Sequence, residues 1–219
     1  MRILIFTLLA LPLLFVSAGY GLAVYHGFGH LASQMHAFAY VGIGAAAYIA
    51  VVVLFRVIGR SVDFAQTFCH ELNHTVFNIL FLNRIRSFSA SADSGGEVEY
   101  TGRGNPLICL APYSVPLFAL IALLIKLFAK ESAFPVIDGC IGFFLLFHLH
   151  SVFMEARLRQ TDLKVYGYVF SYAMILLLNI ALVFWILISA GLGFHAGWEF
   201  LKSGFFEMLN LAKLVRGAI

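Results

Sequence analysis

Several stretches of this chain are apolar for about twenty residues, the length a helix needs to cross the hydrocarbon of a bilayer. Ile3–Tyr25 and Ala37–Ile58 are the first two, and about Pro106–Phe128, Phe134–Phe153 and Tyr166–Ala190 follow. Lipid offers the backbone no hydrogen bonds, so each such run must satisfy its own peptide groups as a helix. Composition agrees, with 62% of the 219 residues hydrophobic, 11% charged and a mean hydropathy of +0.94. Soluble chains hold about 45–50% and about 25%, and a soluble fold of this size could not cover so much apolar surface. Disordered chains are poor in such residues.

A sixth run, Val62–Leu82, is interrupted by Cys-His-Glu-Leu-Asn-His. Residues 84–104 change character: Ser alternates with Phe or Ala, then come Asp-Ser-Gly-Gly and Val-Glu-Tyr-Thr, two short strands around a turn. The tail over 197–218 sets Trp198, Leu201, Phe205, Met208, Leu209, Ala212 and Val215 at helical spacing, with Lys202, Lys213 and Arg216 among them. That pattern predicts an amphipathic helix lying in the membrane interface. The fold expected is an all-α polytopic membrane protein, a single domain over 1–219. It has about six transmembrane helices, a short β-hairpin after the third, and a C-terminal amphipathic helix. Arg2 and the run ending near Val16-Ser17-Ala18 resemble a secretory signal. The run continues through Leu22-Ala23-Val24, beyond the usual core of about 7–15 residues, and reads as a retained first span.

The formal charge of +3 and the pI near 8.8 do not point to nucleic acid. The 14 Lys and Arg residues sit in short clusters at the edges of apolar runs, where they mark membrane boundaries. If every run crosses, the basic residues divide almost evenly between the two sides, with a slight excess favouring a cytoplasmic N-terminus. Cys69, Cys109 and Cys140 lie inside apolar runs without paired spacing and read as small buried residues.

His70-Glu71-Leu72-Asn73-His74 forms an H-E-x-x-H pattern on a helical stretch. Four residues advance a helix by a little over one turn, so both imidazoles project from one face and can bind one Zn²⁺. Glu71 beside them reaches a water on that metal and can take its proton as hydroxide attacks a carbonyl. A bundle-packing polar cluster is the structural alternative, but it needs one or two polar residues rather than three titratable ones. Ionisable groups in mid-span mark functional sites.

These residues resemble the site-two protease type of intramembrane zinc metalloprotease, especially its compact bacterial branch. The likeness runs from Thr67-Phe68-Cys69-His70-Glu71-Leu72-Asn73-His74 through Ser94-Gly95-Gly96-Glu97-Val98 into Leu110-Ala111-Pro112-Tyr113, and covers about residues 60–165. It implies His70 and His74 as zinc ligands, Glu71 as general base, and a helical core with the hairpin beside the active site. It also implies a multi-pass protein of the bacterial cytoplasmic membrane. The family usually completes its zinc site with an Asp in a Leu-Asp-Gly or Asn-Pro-Asp-Gly motif. Here the nearest string is Val136-Ile137-Asp138-Gly139, close to the start of its span. Thr161-Asp162 resembles the Ser-Asp pair that the compact branch carries before its last helix. Asp162 therefore ranks first as third ligand, then His148 and Glu155, with Asp138 last. Solvated partners of the edge residues Arg157, Arg159 and Lys164 are the alternative reading of Glu155 and Asp162.

His26 and His30 share i,i+4 spacing but have no acidic companion. With His36 they read as polar edge residues in or near a Gly-rich first loop. Asn105-Pro106 sets the turn into the fourth span, and Asn73 and Asn83 cap or pack. In the hairpin, Ser87, Ser89 and Ser91 would let another backbone approach, so this strand is the expected edge for an unwound substrate segment.

The leading function is an intramembrane zinc metalloprotease acting on membrane-spanning or membrane-proximal proteins. Rivals are a zinc hydrolase of another membrane substrate, such as a lipid or prenylated chain, and an inactive scaffold or metal carrier. A carrier should string ligands through several spans, whereas here they concentrate in two segments. No peptide-binding domain is appended, so substrate choice falls to the membrane core, the loops or a partner protein.

Overall fold

The computed structural model describes residues 2–91, 95–157 and 160–217. The Asp93-Ser94 portion of the expected turn, Arg159 and Ala218 lie outside them. Helix α1 (Arg2–Ser33) leads through a 3-10 turn to α2 (Ala39–Val57) and α3 (Asp63–Leu80). Strands β1 (Arg84–Ser91) and β2 (Gly95–Thr101) pair antiparallel, with Ser87 opposite Glu99 and Ser89 opposite Glu97. Then come α4 (Pro106–Ser114), α5 (Leu117–Lys126), α6 (Phe134–Glu155), the short α7 (Thr161–Val165), α8 (Tyr168–Leu192) and α9 (Phe194–Gly217). The molecule is helical and membrane-integral, with the expected hairpin after the H-E-x-x-H helix.

The expectation of about six spans is not confirmed. Among the described residues four helices are long and apolar enough to cross, or five if α4 and α5 count as one bent span. Two physical causes separate the counts. First, α3 carries Asp63, Gln66, His70, Glu71, Asn73, His74 and Asn78 in eighteen residues, too polar a run to stand in lipid by composition. It is built inside out: Gln66, Glu71, Asn73 and Asn78 are buried, whereas Phe64, Phe68, Ile79 and Leu80 are exposed. Second, the expected span Pro106–Phe128 breaks at Val115-Pro116 and turns by 79°. Pro116 has no N–H to give, and its ring would collide with the carbonyl one turn back. The break is tolerated because Ser114, Val115 and Pro116 are buried in protein. Asn105 caps α4, its side chain accepting from the Ile108 N–H at 2.9 Å.

Helix α8 is the hub. Its residues join α1, α4 and α7 around Tyr113, Leu163, Tyr166 and Phe170, and α2, α5 and α6 around Leu123, Ile141 and Ile186. α2 and α6 meet backbone to backbone: a Cβ at Gly44 would overlap the Gly139 carbonyl, and one at Gly142 would overlap that of Val41. Without a hydrophobic force between helices in lipid, such close approach supplies the packing. Gly193, at φ 90°, lets the chain reverse, so α9 returns along α8 and α1 with Gly197, Phe200 and Gly204 buried. The tail thus lies against other helices on one face. α1 runs on to Ser33, so the Gly-rich segment expected as loop is helical. His26 Nδ1 pairs with Glu207 Oε1 at 2.9 Å and His30 Nε2 meets Gln34 at 3.1 Å.

Asp138 stands apart from the histidine pair. Lys126 Nζ donates to its Oδ1 at 2.5 Å and to the Ala190 carbonyl at 2.7 Å, tying the ends of α5 and α8 to the start of α6. Removing one partner of a buried pair leaves the other charge uncompensated. Asp138→Ala is therefore expected to lower unfolding stability in mild detergent by about 3–5 kcal/mol without changing metal content. Gly142→Leu should lower it by about 1–3 kcal/mol through overpacking against α2.

Candidate metal centre

The i,i+4 spacing stacks His70 and His74 on one face of α3, with ring centroids 4.9 Å apart and Nε2 atoms 3.2 Å apart. Asp162, in α7, brings Oδ2 to 3.5 Å from His70 Nε2 and 3.4 Å from His74 Nε2. Among the described residues this is the one group of three His, Cys, Asp or Glu side chains close enough to hold a metal ion together.

The outer contacts fix the tautomers. His70 Nδ1 lies 2.7 Å from Glu155 Oε2, and His74 Nδ1 lies 2.9 Å from the Ile108 carbonyl oxygen. Carboxylates and carbonyls only accept, so each Nδ1 carries a hydrogen, and in the neutral ring each Nε2 keeps its lone pair. With neutral rings, three acceptor atoms converge and none of them can donate to another. They would repel one another unless a cation lay among them, and two imidazoles with one carboxylate are a donor set that suits Zn²⁺. Asp162 is held in turn by Tyr113, whose hydroxyl donates to Oδ2 at 3.3 Å. Cys109 Sγ donates to the Asp162 backbone carbonyl at 3.4 Å.

A cavity of about 280 Å³ opens on this centre, bordered by His70, Glu71, His74 and Asp162 and by β2 from Gly96 to Val98. Glu71 packs against Gly96 so closely that a Cβ there would overlap its side chain. Strand β2, rather than β1, lines the cavity. Ser87 and Ser89 are exposed on β1, and neither they nor Ser91 borders it. Asn83 holds the hairpin to α3, donating to Asn78 Oδ1 at 2.8 Å and to the Arg103 carbonyl at 3.3 Å.

Of the remaining candidates, Glu155 contacts His70 from outside the triad, and His148 donates from Nε2 to Asn179 Oδ1 at 3.0 Å on α8. The sequence reading missed Tyr113, Cys109 and Gly96 as parts of the centre. A tyrosine hydroxyl inside an apolar run was the available signal, because a buried O–H needs a partner. Nothing local marked Cys109 or Gly96.

No curated protein and no solved structure matches the chain. Residues 43–212, most of its length and all of the residues around this centre, match the Peptidase M50B-like family. With an H-E-x-x-H helix, a hairpin beside it and membrane-length helices around both, the chain belongs to that site-two protease-like family.

Proposed function

We propose that this protein is an intramembrane zinc metalloprotease that hydrolyses peptide bonds of membrane-embedded or membrane-proximal proteins. The observation that carries the reading is the convergence of three lone-pair donors, His70 Nε2, His74 Nε2 and Asp162 Oδ2, on a cavity that Glu71 also lines. Zinc held by those three would supply Lewis-acid polarisation of water and of the scissile carbonyl. Glu71 takes the proton of the attacking water and returns it to the leaving amine. Glu155 and the Ile108 carbonyl keep both imidazoles in the tautomer that faces the metal, and Tyr113 keeps Asp162 turned toward it.

A helical substrate hides its carbonyls in i→i−4 bonds and must unwind before attack. β2 has β1 on one side only, so its other edge can pair with the unwound segment beside Glu71 and replace those lost bonds. Family membership supports a metallopeptidase resident in a membrane, and the resemblance to the compact bacterial branch extends that reading to a bacterial cytoplasmic membrane. Substrate choice rests on the cavity, the loops or a partner protein.

His70→Ala and His74→Ala should each abolish stoichiometric zinc in purified protein, and Asp162→Ala should lower zinc affinity about 100-fold. Glu71→Gln should keep zinc and lose cleavage of co-expressed single-span proteins by about 10²–10⁴-fold. Full activity in Glu71→Gln removes the general-base assignment. Zinc-loaded wild type that cleaves nothing favours the inactive-scaffold reading, and retained zinc in Asp162→Ala shifts the third ligand elsewhere.

Gly96→Ala offers a separate check on β2. The new methyl pushes Glu71 away without touching any of the three donor atoms, so zinc content should stay whole. Turnover should fall about 100-fold, as for a displacement of about 1 Å at a reacting centre. Unchanged turnover would show that Glu71 does not work from its place against this strand.

A further inference from the structure

His70 also borders a second, smaller cavity, of about 20 Å³, lying between α3 and α6 at the Val115-Pro116 break. Three side chains that line it, all nine-tenths or more buried, each carry a polar atom with no hydrogen-bond partner in the protein: Gln66 Nε2, Asn73 Oδ1 and Ser151 Oγ. These are not ordinary helix hydroxyls and amides. Ser17 and Thr75 bond back to the carbonyl one turn earlier, at 2.8 and 2.9 Å, and Ser151 does not. Asn73 spends its Nδ2 on the Cys69 carbonyl at 2.9 Å, which fixes the orientation of its amide and leaves Oδ1 unmatched.

The unmatched set is one N–H donor, one carbonyl acceptor and one hydroxyl able to act either way. That set complements a single water, which accepts from Gln66, donates to Asn73 and exchanges one further bond with Ser151. By the same measure of volume, one water requires about 10–15 Å³ and two to four polar partners. We propose that α3 and α6 hold a buried water in this cavity, bridging Gln66, Asn73 and Ser151, and that the bridge positions Glu155 against His70.

The positioning follows from helix periodicity. Gln66, His70 and Asn73 share one face of α3 at i, i+4 and i+7, and Ser151 and Glu155 share one face of α6 at i and i+4. The bridge and the His70–Glu155 bond are thus neighbouring rungs between the same two helices. Elsewhere α3 packs mainly on α4 and the hairpin, and α6 mainly on α2 and α5. The distance at which Glu155 meets His70 therefore depends on these rungs rather than on direct packing of the two helices.

The water itself is independent of the protease reading, whereas its effect on His70 rests on the zinc assignment. A structure of the full chain in lipid, at a resolution that defines ordered solvent, should hold density within about 3.2 Å of all three atoms. A dry cavity, or side chains turned to bond one another, overturns the proposal. Ser151→Ala and Gln66→Met each remove one partner without adding bulk. Both should weaken zinc binding about 10-fold and shift the visible absorption of the cobalt-loaded protein, a signal that reports ligand geometry and that a merely structural water would leave in place. Unaltered affinity and spectrum in both variants overturn the positioning role. Wild type that binds neither metal overturns the zinc reading and the positioning role together, while the solvent density still decides the water.

Discussion

Hydrocarbon supplies no hydrogen-bonding partner, so every polar group carried into these helices has to find one inside the protein. That constraint turns α3 inside out, with amides, imidazoles and a carboxylate facing the bundle and Phe64, Phe68 and Ile79 facing outward. It also explains where the chain leaves helical geometry. The Val115-Pro116 break lies among buried residues, and Asn105 and Asn83 supply the hydrogen bonds that neighbouring helix ends and turns lack. α8 serves as the common wall because it is predominantly apolar, its polar residues Ser171, Asn179 and Ser189 being few, and can be packed from several sides at once.

The candidate metal centre is an extreme case of the same rule. Each of its three inner atoms belongs to a side chain whose other contact points outward: His70 to Glu155, His74 to the Ile108 carbonyl, Asp162 to Tyr113. Those outer contacts come from α6 and α4 and the inner atoms from α3 and α7, so the centre is assembled only when the bundle is. Three acceptors brought together in this way cost stability unless a cation joins them, and metal binding and folding are coupled in such sites. The glycine at position 96 lets a strand lie against Glu71, which joins the centre to an edge able to receive extended backbone.

Much of this was legible from local pattern. The apolar runs announce helices because the backbone has no other way to stand in lipid, and the serine alternation with Gly95-Gly96 announces a hairpin. Less legible was the number of crossings, since a run such as Pro106–Phe128 reads as continuous until Pro116 is weighed against what covers it. The serine-rich strand β1 looked like the more open edge by side-chain size alone. Which edge meets the cavity depends on how the hairpin docks on α3, and no residue within either strand records that.

The sequence by itself determined that His70 and His74 face the same way with Glu71 between them, because 3.6 residues per turn is a property of the backbone and needs no neighbour. It also determined a membrane-embedded helical bundle, because composition sets which solvent the surface can meet. Only the tertiary structure decided among Asp162, Glu155, His148 and Asp138 for nearness to that pair. Glu155 and His148 lie on α6 yet turn to His70 Nδ1 and to Asn179, and Asp138 is taken by Lys126. Asp162 reaches the Nε2 atoms because α7 docks beneath α4, against Tyr113 and Cys109. That docking is fixed by the packing of Leu163 and Tyr166 among residues distant in the chain, a long-range contact that no local periodicity encodes.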